Sequence, residues 1–337
     1  MKSLTESKVD RQNILNNTLA IEQISKEYSF NGVDFEGKTY FINTQISEFF
    51  DVDIRTIERL LEDNREELES NDYEVFVGKR LSDFRTIAME NSATDINVGS
   101  KTRQLGVSTF KTVLNFAMLL KTSDKAREVR SKILDIVIDV MAQKTGGSTK
   151  YINQRDANYL TQAFVEETER KKFTNALDLY VDMPSFKYGY FTNCVYKSIF
   201  KENAKEYREI LNLSIKDKVR NTMYSEVLLV IASFEAGIAY EIELEYNKAK
   251  KKLSKKDVDN IIKRFSEHPA QKPHIDEART KMATRDFGLR DAYHEKLEEY
   301  LQPVTPEDYE KFLGEKSKSL SEQLEEHKEI FERLKDR

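Results

Sequence analysis

The sequence predicts a mainly α protein of the α+β class, with a mixed N-terminal domain followed by an all-helical C-terminal domain. Three observations lead there. Helical apolar periodicity covers most of the chain, as at Ile46, Phe49 and Phe50, then Ile54, Ile57, Leu60 and Leu61. Strand-like alternation is confined to SFNGVDFEGKTYFIN and to YEVFV (73–77), both in the first quarter of the chain. The run KTGGSTK (144–150) places two glycines among small polar residues with no apolar anchor, which marks a linker. A length of 337 residues fits two domains with a tail.

Taken in order, residues 1–29 read as a helical extension, with a polar helix from about Lys8 to Glu27. Residues 30–143 form the first domain. It opens with a β-hairpin around Glu36-Gly37-Lys38. Next, YFINTQISEFFDVDIRTIERLLEDNREEL (40–68) reads as two short helices joined by a tight turn, a helix-turn-helix. Asp53 can cap the second helix by accepting from free backbone N–H groups. Such a second helix lies in the DNA major groove and touches bases with its first turn, so Arg55, Thr56 and Arg59 are the candidate base readers. Ile54, Ile57 and Leu61 are expected to face the first helix.

Charge opposes this reading locally. Between Lys38 and Glu69 stand four basic and nine acidic residues, whereas a groove-binding surface must neutralise phosphates. The acids at 62–69 are therefore expected to point away from a duplex. Positive charge is supplied by 101–132, where Lys101, Arg103, Lys111, Lys121, Lys125, Arg127, Arg130 and Lys132 meet only Asp124 and Glu128. The first seven are the candidate phosphate-binding residues. Thr122-Ser123-Asp124 breaks and recaps two helices over 109–143. The plainer alternative for such a run is a solvated helix face. Residues 78–107 read as a wing or insert of little periodicity, with MENSATDINVGS as its mobile polar centre.

Together these parts resemble the RhuM family of DNA-binding proteins and the Bro-N and KilA-N-like modules of phage and mobile-element regulators. Thr44, Gln45, Ile46, Phe50, Val52, Thr56 and Ile57 match the first family segment. Ser123, Ala126, Val129 and Arg130 match the later helix. Two positions depart: Asp51 stands where the turn usually has Gly, and the later helix lacks its Trp, since the chain has none. Over roughly 30–140 the resemblance implies a winged-helix-like domain of regulators, several of which sit beside toxins or act as phage antirepressors.

Beyond the linker, 151–305 reads as helices, broken at Met183-Pro184, and as an oligomerisation or partner-binding domain. Tyr188, Tyr190, Phe191, Tyr196 and Phe200 are either base-stacking platforms or, more simply, core. Val227, Leu229, Val230, Phe234, Ile238 and Ile242 predict a strongly buried helix. The basic run 248–264 is a solvated helix end or a second phosphate contact. In the charged tail, 306–337, Leu320, Leu324, His327, Phe331 and Leu334 fall on the spacing of a short coiled-coil seam or, equally, of a single helix packed on its own domain.

A net charge of −5 and a pI near 5.7 argue against nonspecific DNA coating but allow a local basic patch. A single cysteine, Cys194, excludes an internal disulfide framework, and no segment approaches a membrane span, so a cytoplasmic location is expected. No phosphate loop, GxSxG, HExxH or CxxC is present, so no enzyme activity, cofactor or metal is expected. His268 and His274 flank HPAQKPHIDEAR with Asp276 and Glu277 near, a weak metal constellation. The expected function is sequence-specific binding of double-stranded DNA by a dimer or other homo-oligomer, with a toxin or repressor as possible protein partner. The alternative is a protein–protein module, an antitoxin or antirepressor that occludes its partner.

Overall fold

The computed structural model describes residues 3–28, 31–90 and 102–329. They form two compact units, Met1–Val140 and Met141–Arg337. The protein is mainly helical, with a single four-stranded antiparallel sheet among the described residues. No helix among them is long and apolar enough to cross a membrane.

The first unit begins with two helices where the sequence suggested one, α1 (Lys8–Asn16) and α2 (Thr18–Glu27). Asn17 separates them because its side chain caps α2, accepting from the Ala20 N–H at 3.1 Å. Nor are they an appendage. Ile14, Leu15, Ala20 and Ile24 are buried in the core of the unit. Arg11 makes a bidentate pair with buried Glu67, at 2.6 and 2.7 Å.

The hairpin forms as alternation anticipates: β1 (Val33–Phe35) pairs with β2 (Lys38–Ile42), Phe35 opposite Lys38. Glu36 and Gly37, both at positive φ, make the two-residue turn. Then follow α3 (Asn43–Phe49), α4 (Ile54–Asp63), α5 (Arg65–Glu69) and β3 (Tyr73–Val77). The segment after β3 departs from expectation. In place of an aperiodic insert stands a 13-residue helix, α6 (Gly78–Glu90). Its Leu81, Phe84 and Ala88 fall on one face and pack on Val33, Phe35, Tyr40, Phe76 and Val107 of the sheet. The polar centre of that insert lies largely outside the described residues. β4 (Gln104–Ser108) returns between β2 and β3, giving the order β1-β2-β4-β3. α7 (Phe110–Leu119) is buried almost throughout, and α8 (Asp124–Thr145) closes the unit.

The second unit holds α9 (Tyr159–Tyr180), α10 (Lys187–Phe200), α11 (Ala204–Ile210), α12 (Ser225–Ala249), α13 (Lys255–Ser266), α14 (Lys272–Leu289), α15 (Pro306–Leu313) and α16 (Leu320–Glu326). α9 and α12 run parallel, since Tyr180 and Tyr246, both near C-terminal ends, sit 4.7 Å apart. The expectation for α12 is only partly met: Val227, Phe234, Ile238 and Ile242 are buried, but Leu229 is 48% exposed and Val230 half-buried.

Ionic clusters run through this core. Arg220 is buried between Glu166 and Glu235 and donates to the Tyr196 hydroxyl at 2.8 Å. His294 is held on both ring nitrogens, by Glu202 at 2.7 Å and Asp286 at 2.6 Å, while Arg290 pairs with Asp286 at 3.0 Å. Only the first part of the tail's coiled-coil spacing falls on described residues. α16 buries Gln323, leaves Leu324 47% exposed and ends before His327. Phe331 and Leu334 lie outside the described residues.

Candidate nucleic-acid interface

The hairpin of α3 and α4 is assembled from its own sequence. Phe50 and Ile46 bury the end of α3, and Asp51 takes the left-handed conformation at φ +50° that reverses the chain. Aspartate reaches this region more readily than most residues, through local hydrogen bonding, though less easily than glycine. The Val52 N–H donates to Ser47 O at 3.0 Å and closes the turn. Asp53 then caps α4, its carboxylate accepting from the Arg55 N–H at 2.8 Å. Ile57 is fully buried in the unit core, a contribution of about 2–3 kcal/mol for a side chain of this size. Ile54, Leu60 and Leu61 are half-buried.

The start of α8 is tied to this turn. Ser123 caps α8 by accepting from the Ala126 N–H at 3.0 Å, and its hydroxyl donates to Phe50 O at 2.7 Å. The two helix starts thus border one open cleft of about 610 Å³, lined by Asp51, Asp53 and Thr56 from one side and by Thr122 to Lys125 from the other. Exposed N–H groups at helix starts favour anions, while the three aspartates there oppose them.

The expected base readers sit on this edge. Arg55 and Arg59 are exposed and Thr56 is half-buried. Among the described residues neither guanidinium makes an ion pair, in contrast to Arg11 with Glu67, Arg65 with Glu69 and Arg80 with Glu36 and Glu74.

The expected phosphate binders divide. Lys125 lines the cleft, 5.8 Å above the Phe49 ring and 3.4 Å from Glu128. Lys121 is exposed beside it in sequence, and exposed Arg127 pairs with Asp124 at 3.1 Å. Arg103, exposed before β4, and Lys111, half-buried at the start of α7, do not line the cleft. Lys101 lies outside the described residues. Arg130 is half-buried. Its guanidinium turns inward and donates to Ala117 O and Leu120 O, satisfying carbonyls that the end of α7 leaves open. Burial, and secondarily Arg127, lowers its pKa. Its Nη1 therefore ties α7 to α8.

In the second unit, Phe191, Tyr196 and Phe200 are core residues, whereas Tyr188 and Tyr190 stay half-exposed. Cys194 is half-buried, and burial raises its thiol pKa. His274 belongs to the first turn of α14 and not to a loop. Among the described residues no three His, Cys, Asp or Glu side chains gather as a metal site.

Comparison with protein-family models, with curated proteins and with solved structures returns no match for this chain.

Proposed function

We propose that the first unit binds double-stranded DNA through the start of α4 and that the protein is a sequence-specific regulator of the phage, mobile-element or toxin–antitoxin type. One observation carries the reading: Arg55 and Arg59 are exposed and unpaired on the second helix of a tight helix-turn-helix, in a chain whose other first-unit arginines are largely committed to carboxylates or carbonyls. In this reading Arg55, Thr56 and Arg59 read bases, while Lys121, Lys125 and Arg127 meet phosphates. A dimer presents two such helices to two half-sites. The resemblance to RhuM-like and KilA-N-like proteins supports the same reading.

The test is duplex binding by the full chain, its own promoter fragment against random duplex, across a salt series. Arg55→Ala should weaken the preferred site about 5- to 150-fold, the range for one bidentate base contact, and leave random duplex nearly unchanged. Equal loss on both duplexes, or no binding at low salt, refutes it.

A second reading is favoured by Glu58, Glu62 and Asp63, all exposed on the same helix. In it the hairpin is a scaffold and the protein occludes a protein partner. Co-purification of a stable heteromer that duplex DNA fails to compete would select this reading.

A further inference from the structure

A surface of the second unit combines exposed aromatic rings with lysines that lack partners. Two backbone hydrogen bonds, Leu253 N–H to Tyr180 O at 2.8 Å and Asp182 N–H to Leu253 O at 2.9 Å, tie the end of α9 to the α12–α13 connection. They bring a lysine-rich run, 248–256, against the start of α10. Tyr180 and Tyr246 stack at 4.7 Å and both remain half-exposed. Lys255 Nζ lies 4.2 Å from the centre of the Tyr190 ring, and one turn earlier Phe186 is 60% exposed.

Most acids of this surface are already engaged, while exposed Asp182 has no side-chain partner among the described residues. Asp259 accepts from Lys255 at 2.9 Å, Glu245 faces Lys248 at 3.2 Å, and Asp257 caps α13 with Ser254. Asp178 accepts the Tyr188 hydroxyl at 3.0 Å. Among the described residues Lys250, Lys251 and Lys256 make no ion pair, and all three are exposed. Lys250 holds a left-handed conformation at φ +52°, ending α12 so that the lysines follow as a connection and not as another helical turn.

We propose that this surface binds single-stranded nucleic acid, with Phe186 and Tyr188 offered to bases and Lys250, Lys251 and Lys256 to the backbone. Flat rings accept any base face, and ammonium groups free of ion pairs on the neighbouring connection and helix start suit a flexible polyanion. A duplex hides its base faces, and a purely acidic polypeptide would leave the exposed rings unused. This site is independent of the duplex interface proposed for the first unit.

The experiment uses the full chain and a fluorescein-labelled single-stranded 20-mer of dT, followed by anisotropy over a salt series. Phe186→Ala should weaken binding about 5- to 150-fold, as the loss of one stacked base does. Lys250→Glu with Lys251→Glu should reduce the slope of log affinity against log salt by about 1.4, since each phosphate contact on a single strand contributes about 0.7. Arg55→Ala should leave dT binding unchanged, which separates failure here from failure of the duplex reading. All these residues are exposed, and unaltered thermal melting confirms that each variant folds. Unchanged dT binding in both surface variants overturns the proposal, as does equal displacement of the dT probe by poly-glutamate.

Discussion

Replacing His294 by glutamine tests the buried ionic core of the second unit through its dependence on pH. Both ring nitrogens of His294 face carboxylate oxygens, at 2.7 Å from Glu202 and 2.6 Å from Asp286. Only the imidazolium can donate from both nitrogens. Burial alone would lower the pKa of this ring, but the hydrogen bonds to Asp286 and Glu202 more than reverse that, and it is raised to about 9. In the unfolded chain the value is about 6.5. A pKa raised by folding contributes stability that is complete below the unfolded value and is lost as pH climbs through the folded one. The window is therefore about pH 6.5 to 9. The difference of about 2.5 pH units corresponds to about 3 kcal/mol. Neighbours do not blur it. Tyr207, 5.7 Å away, and Tyr224 are both held above their usual range, mainly by burial, and Arg290 stays charged throughout. The assay is urea unfolding followed by circular dichroism at pH 6, 7.5, 9 and 10, for the wild-type chain and His294→Gln. The wild type should lose about 3 kcal/mol more than the variant between pH 6 and 10. Parallel stability curves for the two proteins would refute the reasoning.

Two other substitutions read other parts of the structure. Arg220→Met leaves Glu166 and Glu235 buried without a cation, and should cost about 3–5 kcal/mol in urea unfolding, part of it recovered when both glutamates are also changed to glutamine. Ser123→Ala removes the cap of α8 and the hydrogen bond to Phe50 O. It should cost about 1–2 kcal/mol and speed amide exchange over 50–53 in mass spectrometry, because that bond ties the turn to its neighbour.

What the sequence disclosed follows the reach of its signals. The α3–α4 hairpin, the β1–β2 turn and β3 rest on local patterns: apolar spacing, a capping aspartate, two residues of positive φ between alternating runs. α6 is not legible in the sequence although Leu81, Phe84 and Ala88 lie at spacings of three and four. Its start at Gly78 and its polar continuation hid the pattern. The role of Arg130 was not legible, since its partners Ala117 O and Leu120 O are backbone atoms about ten residues earlier. A basic residue reads the same in sequence whether it points to solvent or to a helix end. Arg11 and Glu67, 56 positions apart, show the same limit: ion pairing across a core leaves no periodic trace. For this reason α1 and α2 read as an extension in sequence, although Ile14, Leu15, Ala20 and Ile24 are core residues.

The acidity of α4 constrains how a duplex would have to approach it. At 100° per residue, Glu62 projects within about 20° of Arg55, so the two do not lie on opposite faces. They differ in height instead. Seven residues at about 1.5 Å each separate them by about 10 Å along the axis, more than one screening length of about 8 Å at physiological salt. An approach along the side of the helix would bring Glu62 and Asp63 to the phosphates together with the arginines. An approach through the first turn meets Arg55 and Thr56 first and leaves those acids about two turns away. At that end Asp53 is occupied in capping the Arg55 N–H, and Asp124 is paired with Arg127. Asp51 remains exposed, without a side-chain partner among the described residues, at the position where the left-handed turn is commonly glycine. The proposed interface therefore depends on end-on insertion of α4, with exposed Asp51 and, one turn along the helix, exposed Glu58 as its electrostatic cost and Lys121 and Lys125, at the neighbouring helix start, as opposing charge.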